Sequence, residues 1–265
     1  MELTSKNITL EQLVKFVEDN QVMFWSQLDV ELHYDAYETK LITGIPHPLF
    51  NGVLRSQYPS KNITEQLEMT IEHFKRRKVP FTWWISQRST PKDLNKKLIQ
   101  KNLLHIGVMP TMIGILNKEH ETAVERADFL IRLVEDDSTI VEWGKVVAQS
   151  FDIEGESITR YCQFFPKIGS TTQLQHYIGY YKGMPVAAAT LFLNESTGGL
   201  YSVCVLPEFR CQGLGTHLVK TLLAHAYKNK CKLIAMQSYP IVVESCQKLG
   251  FVRICDYNVF ISPEI

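Results

Sequence analysis

An apolar, strand-like run from Leu200 to Leu206 passes through a compact turn directly into a helix-periodic segment, and no other feature restricts the fold of this chain as strongly. The turn reads Pro207-Glu208-Phe209-Arg210-Cys211-Gln212-Gly213-Leu214-Gly215-Thr216 and contains Arg-x-x-Gly-x-Gly. Two glycines let the backbone approach a ligand without Cβ interference. The amide groups at a helix start lack intrahelical acceptors and point outward along the dipole. Such a junction binds phosphate. A Gly-x-Gly triplet alone also serves ordinary turns, so the strand–turn–helix setting is what gives it weight.

With 265 residues the chain has room for one large domain or two of ordinary size. Hydrophobic residues make up 45% and charged residues 21%, the profile of a globular protein with a substantial core. Lys plus Arg and Asp plus Glu are 28 each, and this zero balance argues against a nucleic-acid partner, which needs clustered positive charge. The basic run Lys75–Lys78 fits a helix C-terminus, where cations complement the dipole. No apolar run approaches the roughly 18 residues of a membrane span, and the start Met1-Glu2-Leu3-Thr4-Ser5-Lys6 lacks the pattern of a signal peptide. A membrane partner is not expected. The six cysteines show no CxxC pair and no metal-ligand spacing, which predicts reduced, mostly buried thiols, a cytoplasmic setting and no metal site.

The polar segment Asn117–Thr122 separates two regions of mixed helix and strand signals, so the expected domains are 1–118 and 125–265. The second region reads β-α-α-β-β-β-α-β-α-β. Phe129–Val134 alternates like a strand, Ser138 is a plausible N-cap for a helix carrying Ile140, Trp143 and Val147 on one face, and a second helix spans Ser157–Phe165. Gln175–Tyr181, Pro185–Leu193 and Leu200–Leu206, joined by short turn-rich links, predict an antiparallel meander. After the glycine turn come a helix with Leu218, Leu222 and Ala226 inward, a strand at Lys232–Gln237, a helix opened by Pro240 with Val242, Val243, Cys246 and Leu249 inward, and a closing strand Phe251–Ile261. The first region opens with a helix capped by Thr9 and Gln12 in capping-box spacing. Asn62-x-x-Glu65 starts another helix, followed by a strand at Phe81–Ser86, a helix at Pro91–Asn102 and a strand at Val108–Leu116. This order repeats the end of the second region. Tyr58-Pro59-Ser60-Lys61-Asn62 stands where the glycine-rich turn would be, so the first copy lacks a pyrophosphate cradle.

From about residue 125 to 265 the sequence resembles the GNAT family of N-acetyltransferases. The resemblance rests on "VCVLPEFRCQGLGTHLVKTLLAHA", with the family's Gln/Arg-x-x-Gly-x-Gly/Ala element at Arg210, Gly213 and Gly215, and on "CQKLGF" about 30 residues later. The whole chain resembles tandem GNAT proteins whose N-terminal half has lost the cofactor site. The implied fold is α/β (α+β): a GNAT-like mixed, mostly antiparallel central sheet flanked by helices in the C-terminal domain, with a diverged GNAT-like N-terminal domain. The implied co-substrate is acetyl-CoA. By the resemblance, the amides of Gln212, Gly213, Leu214, Gly215 and Thr216 hold the pyrophosphate, with Arg210 and Cys211 in the same turn. Backbone groups of Val203, Cys204 and Val205 line the pantetheine arm, where this strand splays from the next.

Acyl transfer to an amine requires a deprotonated amine, a stabilised oxyanion and a protonated leaving thiolate. The resemblance implies direct attack in a ternary complex, in which holding the two reactants together is a large effect. The family often places a tyrosine acid four residues before the glycine of "GF". Here that position is Cys246, a departure that leaves the acid open between Cys246, the nearby hydroxyl of Tyr239, and no acid at all. The Asp152, Glu154 and Glu156 carboxylates are candidates for the base or for attracting a cationic amine, and His176 is another basic candidate. The simpler alternative for the carboxylates is a solvated acidic loop. The acceptor expected is a small-molecule or peptide amine, and the oligomeric state is unspecified. A non-catalytic acyl-CoA-binding or regulatory module is the alternative function.

Overall fold

The computed structural model describes residues 8–28, 30–122, 125–164 and 170–263. They cluster into two units, Met1–Thr111 with Ser238–Pro240 and Ile254–Ile265, and Met112–Gln237 with Ile241–Arg253. No helix among the described residues is long and apolar enough to cross a membrane.

In the first unit, helix α1 (Leu10–Ser26) begins with the expected capping box: Thr9 Oγ1 accepts from the Gln12 N–H at 3.2 Å, and Gln12 Oε1 accepts from the Thr9 N–H at 2.8 Å. Two orphan donors of the first turn are thereby satisfied. Strands β1 (Glu31–Tyr34), β2 (Thr39–Ile42) and β3 (Asn51–Leu54) form an antiparallel ribbon. Four residues per strand are too few to print an alternation, and the sequence predicts none of the three. Helix α2 (Ile63–Arg77) leads to β4 (Thr82–Ile85), which lies parallel to β3, and then come α3 (Leu94–Gln100) and β5 (Leu104–Ile115). Lys75, Arg76 and Arg77 occupy the last turn of α2, as their charge requires. Asn62 does not cap α2 through its side chain, as its spacing to Glu65 suggested, because it sits at φ 71° in the left-handed region. The core of this unit stacks Phe74 on Phe81 at 4.2 Å and buries Trp83 completely, while Trp84 meets the Tyr257 ring edge-on.

From Phe129 on, the chain follows the predicted order: β6 (Phe129–Leu133), α4 (Asp137–Ser150), α5 (Glu156–Phe164), β7 (Leu174–Tyr181), β8 (Met184–Asn194), β9 (Thr197–Val205), α6 (Leu214–Lys228), β10 (Leu233–Gln237), α7 (Val243–Gln247) and β11 (Phe251–Ile261). The expected end of α5, Phe165, lies outside the described residues. Asp136, rather than Ser138, caps α4: its Oδ1 accepts from the N–H groups of Ser138 and Thr139, both at 2.9 Å. A carboxylate facing two amides at a helix start outcompetes a hydroxyl placed two residues later. Val242 is 39% exposed instead of inward, because Pro240–Val242 form a 3-10 turn and the α-helix begins only at Val243.

Strands β6 to β9 make the antiparallel meander, and β9 then runs parallel to β10 with α6 as the crossover. Leu214, Leu218 and Leu222 of α6 pack on Ala187, Leu191 and Phe251. The first unit repeats this plan, with α2 crossing over between parallel β3 and β4 and residues 258–261 of β11 antiparallel to β4. Part of β5 (112–115) belongs to the second unit and part of β11 (254–261) to the first.

Candidate functional site

The parallel pairing of β9 with β10 runs from Thr197↔Leu233 to Leu200↔Met236 and stops there, although β9 continues to Val205. On its other edge β9 stays paired to β8, but Ala188↔Cys204 and Thr190↔Tyr201 set three steps on β9 against two on β8. The extra residue is a bulge, and Ser202 carries it at φ 50°. The buried Tyr161 of α5 hydrogen bonds to Ser202. A bulge increases strand twist and re-aims the residues beyond it, and since β10 ends at Gln237, residues 202–205 run on past the end of the parallel neighbour.

That stretch leads to the glycine turn. Pro207–Phe209 form a 3-10 turn, Leu206 N–H donates to the Val186 carbonyl at 2.9 Å, and Cys211 and Gly213 take φ 61° and 76°. Gly213 is the N-cap of α6 and offers no side-chain acceptor, and the first turn of the helix carries no acidic residue. The amides of Leu214, Gly215 and Thr216 are therefore presented beside exposed Gln212 and Gly213. Leu214 is buried and anchors the helix start in the core. A Cβ on Gly215 would lie 3.5 Å from Val205 Cγ2, so α6 and β9 approach closely here. Arg210 donates from Nε to the Val205 carbonyl at 3.0 Å and from Nη2 to the Ser150 carbonyl at 3.3 Å. It braces the turn, and it occupies one backbone group assigned in the sequence to the pantetheine arm. Val203 and Val205 pack toward the α6 core, while burial pushes the Cys204 thiol up to about 11.

The catalytic candidates are spread out. Cys246 is buried in the apolar core of the second unit, and burial pushes its thiol up. Glu154 is exposed in the loop between α4 and α5, and Glu156 opens α5 in an i,i+4 pair with Arg160 at 2.5 Å. Asp152 in the same loop stands at φ 52°. Tyr239 falls in the first unit and is 50% exposed. His176 is fully buried, with Nδ1 2.8 Å from Thr190 Oγ1 and its ring 4.5 Å from that of Trp143, a structural setting inside the sheet.

Arg126 carries no signal in the sequence. Its Nη1 donates to the Gln212 carbonyl at 2.9 Å, across 86 residues of chain. A single arginine at the start of the expected second domain prints no motif, so nothing local could have found it.

The first unit shows what the equivalent junction looks like without these features. Beyond β3 and β4 the chain closes on itself: Thr90 N–H donates to the Ser56 carbonyl at 3.0 Å, and Tyr58 N–H donates to the Thr90 carbonyl at 3.1 Å. Trp83 Nε1 adds a bond to Ser56 Oγ at 2.7 Å. The N-cap of α2 is again left-handed, with Asn62 in place of glycine, but the first turn carries Glu65, a charge that repels phosphate.

The second unit is thus a mostly antiparallel sheet in which a bulged strand runs past the end of its parallel neighbour to a glycine-capped helix. The family model described as Acetyltransferase (GNAT) family matches residues 128–251, and that segment is a domain of this family. Among solved structures, a GCN5-related N-acetyltransferase from Kribbella flavida is similar over 94% of this chain and 95% of its own, with a TM-score of 0.71 at 12% identity. A functionally unknown conserved protein from Staphylococcus epidermidis covers 90% of this chain and 96% of its own, at a TM-score of 0.70 and 14% identity. A tandem GNAT protein from the clavulanic acid biosynthesis pathway covers 85% and 78%, at 0.54 and 12%. At these identities the likeness is one of fold, and it extends over both halves, so the N-terminal half is GNAT-like as well. No curated protein matches the sequence.

Proposed function

We propose that this protein transfers an acetyl group from acetyl-CoA to a primary amine of a small molecule or peptide, by direct attack in a ternary complex. The observation that carries this reading is that β9 runs on past its last pairing with β10, at Leu200↔Met236, into the turn that ends at the glycine-capped start of α6. In this reading the amides from Gln212 to Thr216 hold the diphosphate. The pantetheine arm lies along residues 203–205 as an added strand, and an amide of this stretch faces the thioester carbonyl to stabilise the oxyanion. Glu154 and Glu156 attract the cationic amine and help it lose its proton. Cys246 returns a proton to the leaving thiolate. Its raised pKa keeps it protonated at neutral pH and also makes it a reluctant donor, so its contribution sits at or below the low end for a general acid. Tyr239 is not used. The free state of all six cysteines suits a reducing compartment.

The burial of Cys246 at the position where a tyrosine acid is expected favours one second reading, a module that binds acyl-CoA without turnover. Calorimetry with acetyl-CoA on wild type and on the Gly213→Glu, Gly215→Glu double variant tests the shared premise. Micromolar binding that disappears in the folded variant supports a cofactor site at this turn, and a broad amine panel then separates transferase from binder. A folded wild type that does not bind acetyl-CoA removes both readings.

A further inference from the structure

Arg126 lies ahead of β6, yet its guanidinium sits against the glycine turn. Nη1 donates to the Gln212 carbonyl and stands 3.9 Å from the point a Cβ on Gly213 would occupy. Nε and Nη2 donate to the two carboxylate oxygens of Asp128 at 2.6 and 3.2 Å, which fixes the plane of the fork. The Tyr181 ring lies 5.7 Å from the guanidinium carbon, and Lys182 Nζ lies 5.2 Å from the same ring. Of the five N–H groups of an arginine, these contacts engage three. The remaining two, one on each terminal nitrogen, are available beside the exposed amides of the turn. A planar donor pair next to a row of amides matches the oxygens of a phosphate group, and the Asp128 pair supplies the orientation such recognition needs.

We propose that Arg126 is a ligand of the phosphate-bearing end of coenzyme A, a second arm of the site whose first arm is the α6 amides. The inference rests on the reading of this turn as the coenzyme site. In that role Arg126 adds a cation, shared with Asp128, to the partial charges of the helix start. It therefore governs affinity and its salt dependence, while the acyl end is handled elsewhere along β9.

The test is calorimetric titration of CoA into wild type, Arg126→Ala and Arg126→Lys at several salt concentrations, with the melting temperature of each ligand-free variant recorded. Arg126→Gln replaces the alanine variant if that one fails to fold. Arg126→Ala is expected to raise Kd about tenfold, in line with loss of a charge-assisted hydrogen bond. Its Kd should also rise less steeply with salt than that of wild type, because one screened charge contact is gone. Arg126→Lys keeps the charge without the fork and should fall between the two, with the wild-type salt dependence. Weaker binding with an unchanged salt dependence would reduce Arg126 to a brace of the turn and overturn the proposal, as would unchanged Kd. Wild type that fails to bind CoA overturns the underlying reading first, and this proposal with it.

Discussion

Arg210 and Val205 are joined by a 3.0 Å hydrogen bond from the guanidinium Nε–H to the last carbonyl of β9, so the glycine turn is fixed to the strand that precedes it. The second bond, to the Ser150 carbonyl, ties the same turn to the end of α4. A phosphate cradle of backbone amides works only if the amides are held in place before the ligand arrives, and Arg210 does this for the loop between two rigid elements.

Arg210→Ala is expected to weaken acetyl-CoA binding about tenfold, the effect of losing two charge-assisted bonds at a partly solvated site. Lysine should restore little, because two carbonyls in different directions need a fork. Calorimetry on both variants checks this, and equal affinity in all three proteins would show that the turn holds its shape without the brace.

The two glycines of the turn should behave differently. Gly213 stands at φ 76°, and Gly213→Ala is expected to cost about 1 kcal/mol of stability because Cβ disfavours the left-handed region. Gly215 is inside α6, and its Cβ would meet Val205 at an ordinary 3.5 Å. Gly215→Ala should therefore leave stability unchanged or raise it by up to about 1 kcal/mol. It should still weaken CoA binding, by placing a methyl group among the amides. Thermal melts and binding titrations on the two variants separate these effects.

One coenzyme per chain is expected. In the first unit, residues 56–58, beyond β3, are bonded to Thr90, which takes up the backbone groups that the corresponding stretch of β9 would offer a ligand. A titration giving two equivalent sites per chain would contradict this closure.

Cys246→Ala is expected to lower kcat for acetyl transfer by about tenfold with little change in KM, the signature of a weak general acid. Cys246→Ser should retain stability better than activity. An unchanged kcat would leave the thiol a purely packing role.

Glu18 of α1 is buried beside Ser86 and Arg88, with Arg88 Nε 3.3 Å from its carboxylate. Burial pushes its carboxyl up, outweighing the hydrogen bond from Ser86 and the charge of Arg88. A carboxyl raised on folding binds its proton more tightly in the native state. Its contribution to stability is thus fully present below the ordinary value of 4.5 and is lost as pH rises through the folded pKa. Glu18→Gln should flatten the fall in melting temperature above that value, and an identical pH profile in both proteins would contradict the assignment.

The second unit is largely legible in the sequence because its elements are long and clearly bounded. The strands of the meander run for eight to eleven residues between short turn-rich links, and α6 repeats Leu218, Leu222 and Ala226 at helical spacing. Strands β1, β2 and β3 are not legible: each has four residues, and only pairing partners make them strands. The cap of α4 is ambiguous in the sequence because Ser138 and Asp136 both suit the role by type, and the choice depends on where the chain turns.

By itself the sequence determined the order of elements in the second unit and the glycine-capped start of α6, since both depend on local backbone preference and periodic burial. It also indicated that Asn62–Leu116 repeat the end of that order without a glycine turn. Tertiary structure alone decided that β9 runs on past its last pairing with β10 at Leu200, that Arg210 spends its fork on two carbonyls, and that Arg126 comes to Gln212 from 86 residues away. Those facts depend on which distant groups meet once the sheet has formed, and a contact between residues far apart in the chain leaves no period in the sequence to read.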